Sequence, residues 1–159
     1  GKGQRGNVWT SEPGKNLTFS LVLKPKKVTP SEAFVISKIV SLAICKYLET
    51  VVVDDVFIKW PNDILIKGKK VSGILCELCD SNPLSLIIGI GINVNHETIH
   101  FQEPLKEIAT SLLLENGAKV DREDLIISLI SVKVDCNMRY FILTFNANEQ
   151  LIEPPIDSP

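Results

Sequence analysis

The sequence is poor in the residues that mark several specialised classes of protein. Its 159 residues include only two histidines and four cysteines. No apolar run approaches the roughly 18 residues that a membrane-spanning helix needs. Lysine and arginine total 17 against 19 aspartates and glutamates, and this net charge of −2 argues against a general nucleic-acid-binding protein. The length fits one domain that can bury a core of its own.

The scarce cysteines and histidines do not form a convincing metal site. The cysteines are Cys45, Cys76, Cys79 and Cys136. Cys76 and Cys79 have a spacing seen in metal sites, but residues three apart in a strand point to opposite faces. We therefore expect reduced thiols, as in a reducing cytosol. His96 and His100 have no carboxylate or cysteine at a metal-binding spacing, so we expect both rings to be exposed.

The most distinctive stretch, residues 59–63, reads KWPND: a cation, an aromatic ring, an imino acid, an amide and a carboxylate. Pro61 has no backbone N–H, so it interrupts a strand rather than lying within its ladder. The segment 67–69 reads KGK and is typical of a hairpin turn, because glycine tolerates the positive φ that such turns need. The stretch predicts a strand, a polar corner, a second strand and a returning strand that begins at Lys70.

Residues 1–16 carry four glycines together with Lys2, Arg5 and Lys15, and few apolar anchors. Two interpretations of this composition stay open. The segment is either a mobile N-terminal arm or a glycine-rich loop that folds over an anion. In the second case, successive backbone N–H groups form an anion-binding nest and the basic side chains add charge. Such a loop is mobile when empty and ordered when occupied.

Hydrophobic periodicity predicts a sheet covered by helices. Leu17–Leu23 alternates as a strand does, and Thr29, Pro30 and Glu32 mark the start of a helix with an apolar stripe that runs to about Leu48. Four further strands are predicted: Val56–Trp60, Asp63–Ile66, Lys70–Leu78 and Leu84–Val94. Because the intervals between them are short, we expect antiparallel pairing. The fold class is therefore α+β, with a mostly antiparallel or mixed sheet and helices on one face.

Beyond the strands, the sequence predicts two more helices. One covers Lys106–Leu114 and ends at an Asn-Gly pair, and the other runs from Arg122 to around Phe141 with Asp121 as its N-cap. Residues 80–83 have the composition of a turn. We expect one domain over residues 1–142, followed by a C-terminal tail at 143–159.

Three segments together resemble the catalytic domain of biotin protein ligases. KWPND and the hairpin after it resemble the signature of that family. GKGQRGNVW, residues 1–9, is similar to its Gly/Arg-rich biotin loop, and IGIGINVN, residues 88–95, is similar to its IGxGINxN strand. The segments occur in the order and spacing of the family, and the likeness runs from Gly1 to about Ile130.

The resemblance implies the fold shared by class II aminoacyl-tRNA synthetases and biotin ligases. It implies an enzyme that uses ATP and Mg²⁺ to convert biotin into biotinyl-5′-AMP. The biotin then passes to a lysine of the biotin carboxyl carrier domain of a biotin-dependent carboxylase. The implied location is the cytoplasm, without a membrane or nucleic-acid partner for this segment, and a homodimer stays open.

The resemblance also assigns roles to individual residues. Lys70 matches the catalytic lysine, whose charge neutralises the repulsion between the biotin carboxylate and ATP. Asp63 is the expected contact of Mg²⁺, through water. The expected ATP contacts are Lys59, Asn62 and Asn93. The expected biotin or adenylate contacts are Gly1, Lys2, Gly3, Gln4, Arg5, Gly6, Trp9, Gly73, Ile74, Leu75, Gly89 and Gly91.

The chain departs from the family pattern at the loop and at both ends. Lys2 and Gln4 replace two of three loop arginines, and only Arg5 remains. Further biotin contacts upstream and a small β-barrel domain downstream are absent from the sequence, which reads as a truncated catalytic domain. Two alternatives follow: a degenerate fragment that binds biotin or the carrier without catalysis, and a related lipoate or octanoate transferase. The transferases lack the KWPND stretch.

Overall fold

The computed structural model describes residues 1–23, 30–52, 55–79 and 85–132, and within them it places one antiparallel sheet of five strands. The strand order is β1-β5-β4-β3-β2. The strands are β1 (Leu17–Leu23), β2 (Val56–Lys59), β3 (Asp63–Ile66), β4 (Lys69–Cys79) and β5 (Ser85–Ile92). The helices are α1 (Pro30–Val51), α2 (Leu105–Ile108), α3 (Leu112–Asn116) and α4 (Arg122–Ile130). The predicted α+β class with antiparallel pairing is confirmed.

The core lies between α1 and one face of the sheet. The predicted helical stripe is buried, with Ile44 at 1% and Leu48 at 0% exposure. It packs on side chains that alternate along the central strands, among them Ile74 on β4 and Ile88 on β5. Burying each such side chain contributes roughly 1.5–3 kcal/mol. This alternation leaves the intervening residues of the strands on the opposite face, where the glycines of β4 and β5 lie.

The turn between β3 and β4 forms as the sequence predicts. Lys67 and Gly68 connect the strands and have φ values of 50° and 79°. Two consecutive residues at positive φ make the turn whose twist matches that of the flanking strands. The turn returns the chain so that Asp63 on β3 lies opposite Gly73 on β4.

A β-bulge at Val71 sets the direction of Lys70. Ile64 pairs with Ser72, whereas the next residue of β3, Leu65, pairs with Lys70, so β4 carries one extra residue. Val71 and Ser72 are both fully buried on the helix side. The extra residue shifts the alternation by one, and Lys70 therefore lies on the same face as Gly73 instead of in the core.

The helix predicted over Lys106–Leu114 is wrong as a single element. The chain forms α2 and α3 with an extended break between them. Ala109 has φ −121° and ψ 156° and forms a parallel bridge with Lys70. Ser111 then caps α3, because its Oγ accepts a hydrogen bond from the Leu114 N–H at 3.2 Å. Pairing with β4 outweighs the helical periodicity of this segment.

The last helix begins as predicted and ends earlier. Asp121 caps α4, since its Oδ1 accepts the N–H groups of Glu123 and Asp124 at 2.8 and 3.1 Å. The helix stops at Ile130 instead of near Phe141. The N–H groups of the next two residues bond carbonyls three positions back, and this tightening ends a helix. The Thr29 cap, the turn at 80–83, Cys136 and the tail at 143–159 lie outside the described residues.

Among the residues that the structure describes, no helix has the length and apolar character needed to cross a membrane.

Candidate ligand-binding cleft

The sheet face opposite α1 forms the floor of a cleft of about 510 Å³. The N-terminal loop covers one side of it, and the corner between β2 and β3 forms the other. It brings together most of the residues that the sequence singled out: Gly1, Lys2, Gly3, Gln4, Trp9, Asn62, Asp63, Lys70, Gly73, Ile74, Leu75, Gly89 and Gly91. Segments far apart in sequence therefore meet in one place.

Gly73 and Gly91 form the part of the cleft floor on which the indole ring of Trp9 lies. A Cβ atom at Gly91 would come 2.5 Å from Cε2 of Trp9, closer than real Cβ contacts allow. A Cβ atom at Gly73 would come 3.2 Å from the same ring. At Gly89 the nearest atoms belong to Leu75 at 3.7 and 3.8 Å, an ordinary contact. Gly91 and Gly73 therefore give the Trp9 ring room to lie flat on the strands.

Trp9 also carries an unused hydrogen-bond donor. Its indole Nε1 is buried and has no hydrogen-bond partner among the described residues. A buried donor without an acceptor costs about 1–3 kcal/mol. An acceptor on a molecule bound in the cleft would remove this cost.

The charged pair of the cleft is Lys70 and Asp63. The Nζ atom of Lys70 lies 2.6 Å from Oδ1 of Asp63 and 5.7 Å from the centroid of the Trp9 ring. The Lys70 side chain is 35% exposed and that of Asp63 is 23% exposed, so water and small molecules reach both. The pair presents one positive and one negative group side by side at the edge of the glycine floor.

Asn62 stabilises the corner between β2 and β3 through hydrogen bonds to β4. Its Nδ2 donates to the carbonyl of Ile74 at 3.0 Å, and its backbone carbonyl accepts the Ile74 N–H at 2.9 Å. These two bonds hold the KWPND corner against β4. The preceding Trp60–Pro61 peptide bond is cis, and Trp60 stands at the mouth of the cleft with 74% of its surface exposed.

The N-terminal loop is folded by bonds of its own. Lys2 pairs with Val8, and the Gly3 N–H donates to the carbonyl of Asn7 at 2.8 Å. The tip is a 3₁₀ turn at Gln4–Gly6, which contains Arg5 and in which Gly6 has a φ of 83°. Lys2 forms an ion pair with Glu77 on β4. That pair joins the loop to the sheet beside the cleft.

Of the predicted ligand contacts whose side chains the structure describes, three do not line this cleft, and the side chain of Arg5 lies outside the described part. Lys59 is exposed at the end of the edge strand β2. Asn93 is 5% exposed, and its amide is occupied: its Nδ2 donates to the Thr110 carbonyl at 3.0 Å and its Oδ1 accepts from Asn16 at 3.2 Å. Gly6 lies at the tip of the loop, outside the lining.

Other lining residues were not predicted from the sequence to contact a ligand. They are Asn7, Val8, Thr18, Phe19, Ser20, Trp60, Pro61, Glu77, Ile87 and Ile90. Strand alternation carries the signal for two of them, because Thr18 and Ser20 are exposed and alternate with half-buried residues of β1.

The predicted exposure of His96 is wrong. The ring is 2% exposed and lies between the ring of His100, at a centroid distance of 5.4 Å, and that of Phe101, at 5.1 Å. His100 is partly exposed. Burial lowers the pKa of His96 below its usual value, and neighbouring His100 and Lys15 lower it further while Glu12 raises it. The ring is therefore favoured in its neutral form.

Two of the described cysteines have shielded thiols. Cys45 is buried and Cys76 is half-buried, and burial raises the pKa of both. A raised pKa disfavours the thiolate that binds metals. The described residues contain no group of three or more histidine, cysteine or acidic side chains placed to hold a metal ion.

The fold and the cleft define a domain of the class II synthetase type, with an antiparallel sheet that carries a ligand site on its open face. Residues 1–95 match the model of the Biotin/lipoate A/B protein ligase family. The chain belongs to that family.

Two curated relatives come from bacteria. The chain is 40% identical over 131 residues to the Bifunctional ligase/repressor BirA of Bacillus spizizenii, covering 79% of this chain and 39% of that protein. It is 31% identical over 132 residues to BirA of Escherichia coli, covering 82% of this chain and 40% of that protein. The chain thus spans about two fifths of the length of these relatives.

Solved structures of biotin protein ligases share the fold. The ligase from Aquifex aeolicus in complex with biotin and ATP superposes with a TM-score of 0.69 at 34% identity, over 80% of this chain and 52% of that one. The ligase from Leishmania major in complex with biotin gives a TM-score of 0.63 at 28% identity, over 81% and 56% of the two chains.

Proposed function

We propose that this chain activates biotin with ATP, forming biotinyl-5′-AMP and pyrophosphate, and then transfers the biotin to a lysine of a biotin carboxyl carrier domain. The observation that carries the proposal is the position of Lys70 and Asp63 at the edge of the glycine floor, under Trp9. Membership of the ligase family and the likeness to a ligase bound to biotin and ATP support it.

The first step brings the carboxylate of biotin against the α-phosphate of ATP. Both are anions, and negative charge builds up on the phosphoryl oxygens as the carboxylate oxygen attacks phosphorus and pyrophosphate leaves. A fixed cation beside both groups lowers this barrier. Lys70 is the cation for this role, because the bulge at Val71 turns it onto the cleft face. Asp63 holds the ammonium group of Lys70 in place, with its Oδ1 atom 2.6 Å from Nζ.

The glycine floor and Trp9 fit a flat, extended ligand. Gly73 and Gly91 place no side chain between the strands and the ring. A ligand that enters the cleft lies along β4 and β5 and takes up the space next to the indole. The indole N–H, which is buried without a partner among the described residues, becomes available to an acceptor on the ligand once the ring shifts to admit it. In this arrangement the mixed anhydride is shielded from water until the carrier lysine arrives.

Mg²⁺ fits the site as a companion of the ATP phosphates. It keeps several waters and needs only one or two protein carboxylates. Asp63 supplies one carboxylate next to Lys70, consistent with an ion held through water. Glu77 also lines the cleft but is paired with Lys2. The ion would neutralise charge on the departing pyrophosphate.

In the second step the amine of the carrier lysine attacks the carbonyl carbon of the adenylate, and AMP leaves. We propose a carrier domain of a biotin-dependent carboxylase as the partner and the cytoplasm as the location. The cleft mouth beside Trp60 is open to solvent, so a lysine on a protruding turn can enter there.

The test is the exchange of labelled pyrophosphate into ATP, with biotin, lipoate, octanoate or no acid added. We expect exchange that requires both biotin and Mg²⁺. Exchange with lipoate alone would favour the lipoate branch of the family. Calorimetry with biotin separates the remaining cases. Biotin binding without pyrophosphate exchange would favour a non-catalytic biotin-binding domain. The absence of both biotin binding and exchange would contradict the proposal.

A further inference from the structure

A buried histidine, His96, lies where the N-terminal segment meets the end of strand β5. The Nε2 atom of His96 lies 3.2 Å from the backbone N–H of Glu12 and 3.2 Å from Nδ2 of Asn16. Both partners precede β1: Glu12 lies 84 positions and Asn16 lies 80 positions before the histidine. The ring thus connects residues 12–16 with the chain that follows β5.

These contacts fix the protonation state of the ring. A backbone N–H can only donate, so Nε2 of His96 must be an unprotonated acceptor. The proton then sits on Nδ1, which is buried without a hydrogen-bond partner in the described part of the chain. Adding a second proton would place an N–H of His96 against the Glu12 N–H and the Asn16 amide. The charged ring therefore cannot keep either contact.

The same junction is continuous with the cleft. The second Asn16 hydrogen bond goes to Oδ1 of Asn93, and the Nδ2 of Asn93 donates to the Thr110 carbonyl. The Thr110 N–H in turn donates to the carbonyl of Lys70 at 2.9 Å. On its other side, the segment 12–16 begins three residues after Trp9 and ends two residues before Thr18, and both Trp9 and Thr18 line the cleft.

The charges around the ring come from every neighbouring segment. Glu12 and Lys15 face it from the N-terminal segment, and Glu97 and His100 come from its own segment. Lys15 also pairs with Glu97 at 3.5 Å, a second link across the junction. Arg122 reaches the junction from α4, where its guanidinium donates to the Asn16 carbonyl at 3.3 Å. Of these groups, Glu12 favours the imidazolium, whereas His100 and Lys15 disfavour it, and burial disfavours it most.

We propose that His96 is a positioning residue for the cleft: its neutral ring holds residues 12–16 against the end of β5, and protonation releases them. Trp9 and the N-terminal loop then lose their fixed position over Gly91. The consequence for biotin and ATP rests on the proposed function, whereas the junction itself is tested without any ligand.

The test is amide hydrogen exchange of Glu12, read by two-dimensional NMR in the ligand-free protein at about pH 7.5 and at a pH below the midpoint of the His96 ring titration. After correction for intrinsic rates, we expect exchange at the lower pH to be roughly tenfold faster or more, because the acceptor is lost. The carbon-bound ring protons of His96 report its titration in the same samples. The loss of Glu12 protection must follow that titration.

Two variants separate the histidine from its surroundings. His96→Gln keeps an acceptor but cannot titrate, so Glu12 should stay protected at both pH values. His100→Gln is the control: the buried His96 ring still titrates, so Glu12 should still lose protection as the pH falls, but at a higher pH than in the parent because His100 no longer lowers the pKa of His96. Protection of Glu12 that is equal at both pH values in the parent, or that changes equally in His96→Gln, would overturn the proposal. If His96→Gln does not fold, the comparison of the two titrations in the parent still decides.

A final measurement keeps this proposal apart from the proposed function. Calorimetry with biotin and ATP at both pH values should show weaker binding at the lower pH in the parent and less change in His96→Gln. Absence of binding at both pH values, with the Glu12 exchange behaving as expected, would contradict the ligase function and leave the role of His96 intact.

Discussion

The indole ring of Trp9 lies against Gly91 so closely that a Cβ atom at Gly91 would come 2.5 Å from Cε2 of the ring. Trp9 belongs to the N-terminal loop, and Gly91 to the interior strand β5. The contact shows why the strand carries glycine at this position. The absence of a side chain at Gly91 provides space for an aromatic ring from a distant segment. Gly91 is not needed there to form a turn or to let a helix pack on the sheet.

Gly91→Ala should displace Trp9 from the floor. The methyl group cannot fit under the ring, so we expect the indole to swing into solvent, with a stability loss of about 1–3 kcal/mol if the strand must also shift. The measurement is acrylamide quenching of Trp9 fluorescence in a Trp60→Phe background, which removes the other of the two tryptophans. Quenching should increase.

Gly89→Ala is the matched control for this change. It adds the same methyl group to the same strand, where only Leu75 lies nearby at ordinary contact distance. Quenching should stay at the parent level. Equal quenching in all three proteins would mean that Trp9 does not rest on Gly91 in solution.

Lys70→Ala should abolish most adenylate formation without unfolding the chain. Removing one fixed charge that faces the developing anion typically lowers the rate by about 10²–10³-fold. The neighbouring Lys69→Ala is the control, since Lys69 is exposed and lies outside the cleft lining. The readout is biotin-dependent pyrophosphate exchange, with circular dichroism to verify folding. Parent-level exchange by Lys70→Ala would make Lys70 an ordinary surface lysine.

Local chemistry made much of the fold predictable. The bounds of β1 and β3, the turn at Lys67-Gly68 and the Asp121 cap follow from residues that are neighbours in sequence. Each depends on alternation, positive φ or a capping side chain, and a sequence displays all of these directly.

The features that the sequence did not reveal depend on distant partners. The break at Ala109 exists because that residue pairs with Lys70, and the burial of His96 exists because Glu12 and Asn16 reach it from more than 75 residues away. The orientation of Lys70 depends on a bulge that appears only once β3 and β4 are in register. The resemblance singled out many of the residues that line the cleft. It could not show that the side-chain amide of Asn93 is already hydrogen-bonded to Asn16 and Thr110.

Gln4→Arg should make the site retain its adenylate longer. Gln4 lines the cleft at the tip of the loop and is uncharged, so it adds no electrostatic attraction for a bound phosphate. A guanidinium there offers a bidentate contact to phosphate oxygens. We expect slower release of labelled biotinyl-AMP in a filter-binding chase. Asn7→Arg, in the same loop and also lining the cleft, is the control for added charge alone. Equal release from Gln4→Arg and the parent would contradict a phosphate position near Gln4.

The stability of the folded chain should fall at mildly acidic pH because of His96. Its pKa is lowered in the folded state by burial and by His100, whereas in the unfolded chain it returns to about 6.5. Between these two values the unfolded state binds more protons, so the free energy of unfolding rises with pH. The stabilising contribution is complete above about pH 6.5 and is lost as the pH falls through the folded-state pKa.

Urea unfolding of the parent and of His96→Gln across that range isolates this contribution. Carboxylates titrate in both proteins and cancel in the difference between their free energies of unfolding. We expect the parent to lose stability relative to His96→Gln as the pH falls. The difference between their free energies of unfolding should be constant above neutrality. His100→Gln should still lose stability as the pH falls, because His96 stays buried, but over a range displaced to higher pH, since His100 no longer lowers the pKa of His96. A difference that does not vary with pH would mean that His96 keeps an ordinary pKa in the folded chain, and hence that the ring is not held neutral by its contacts with Glu12 and Asn16.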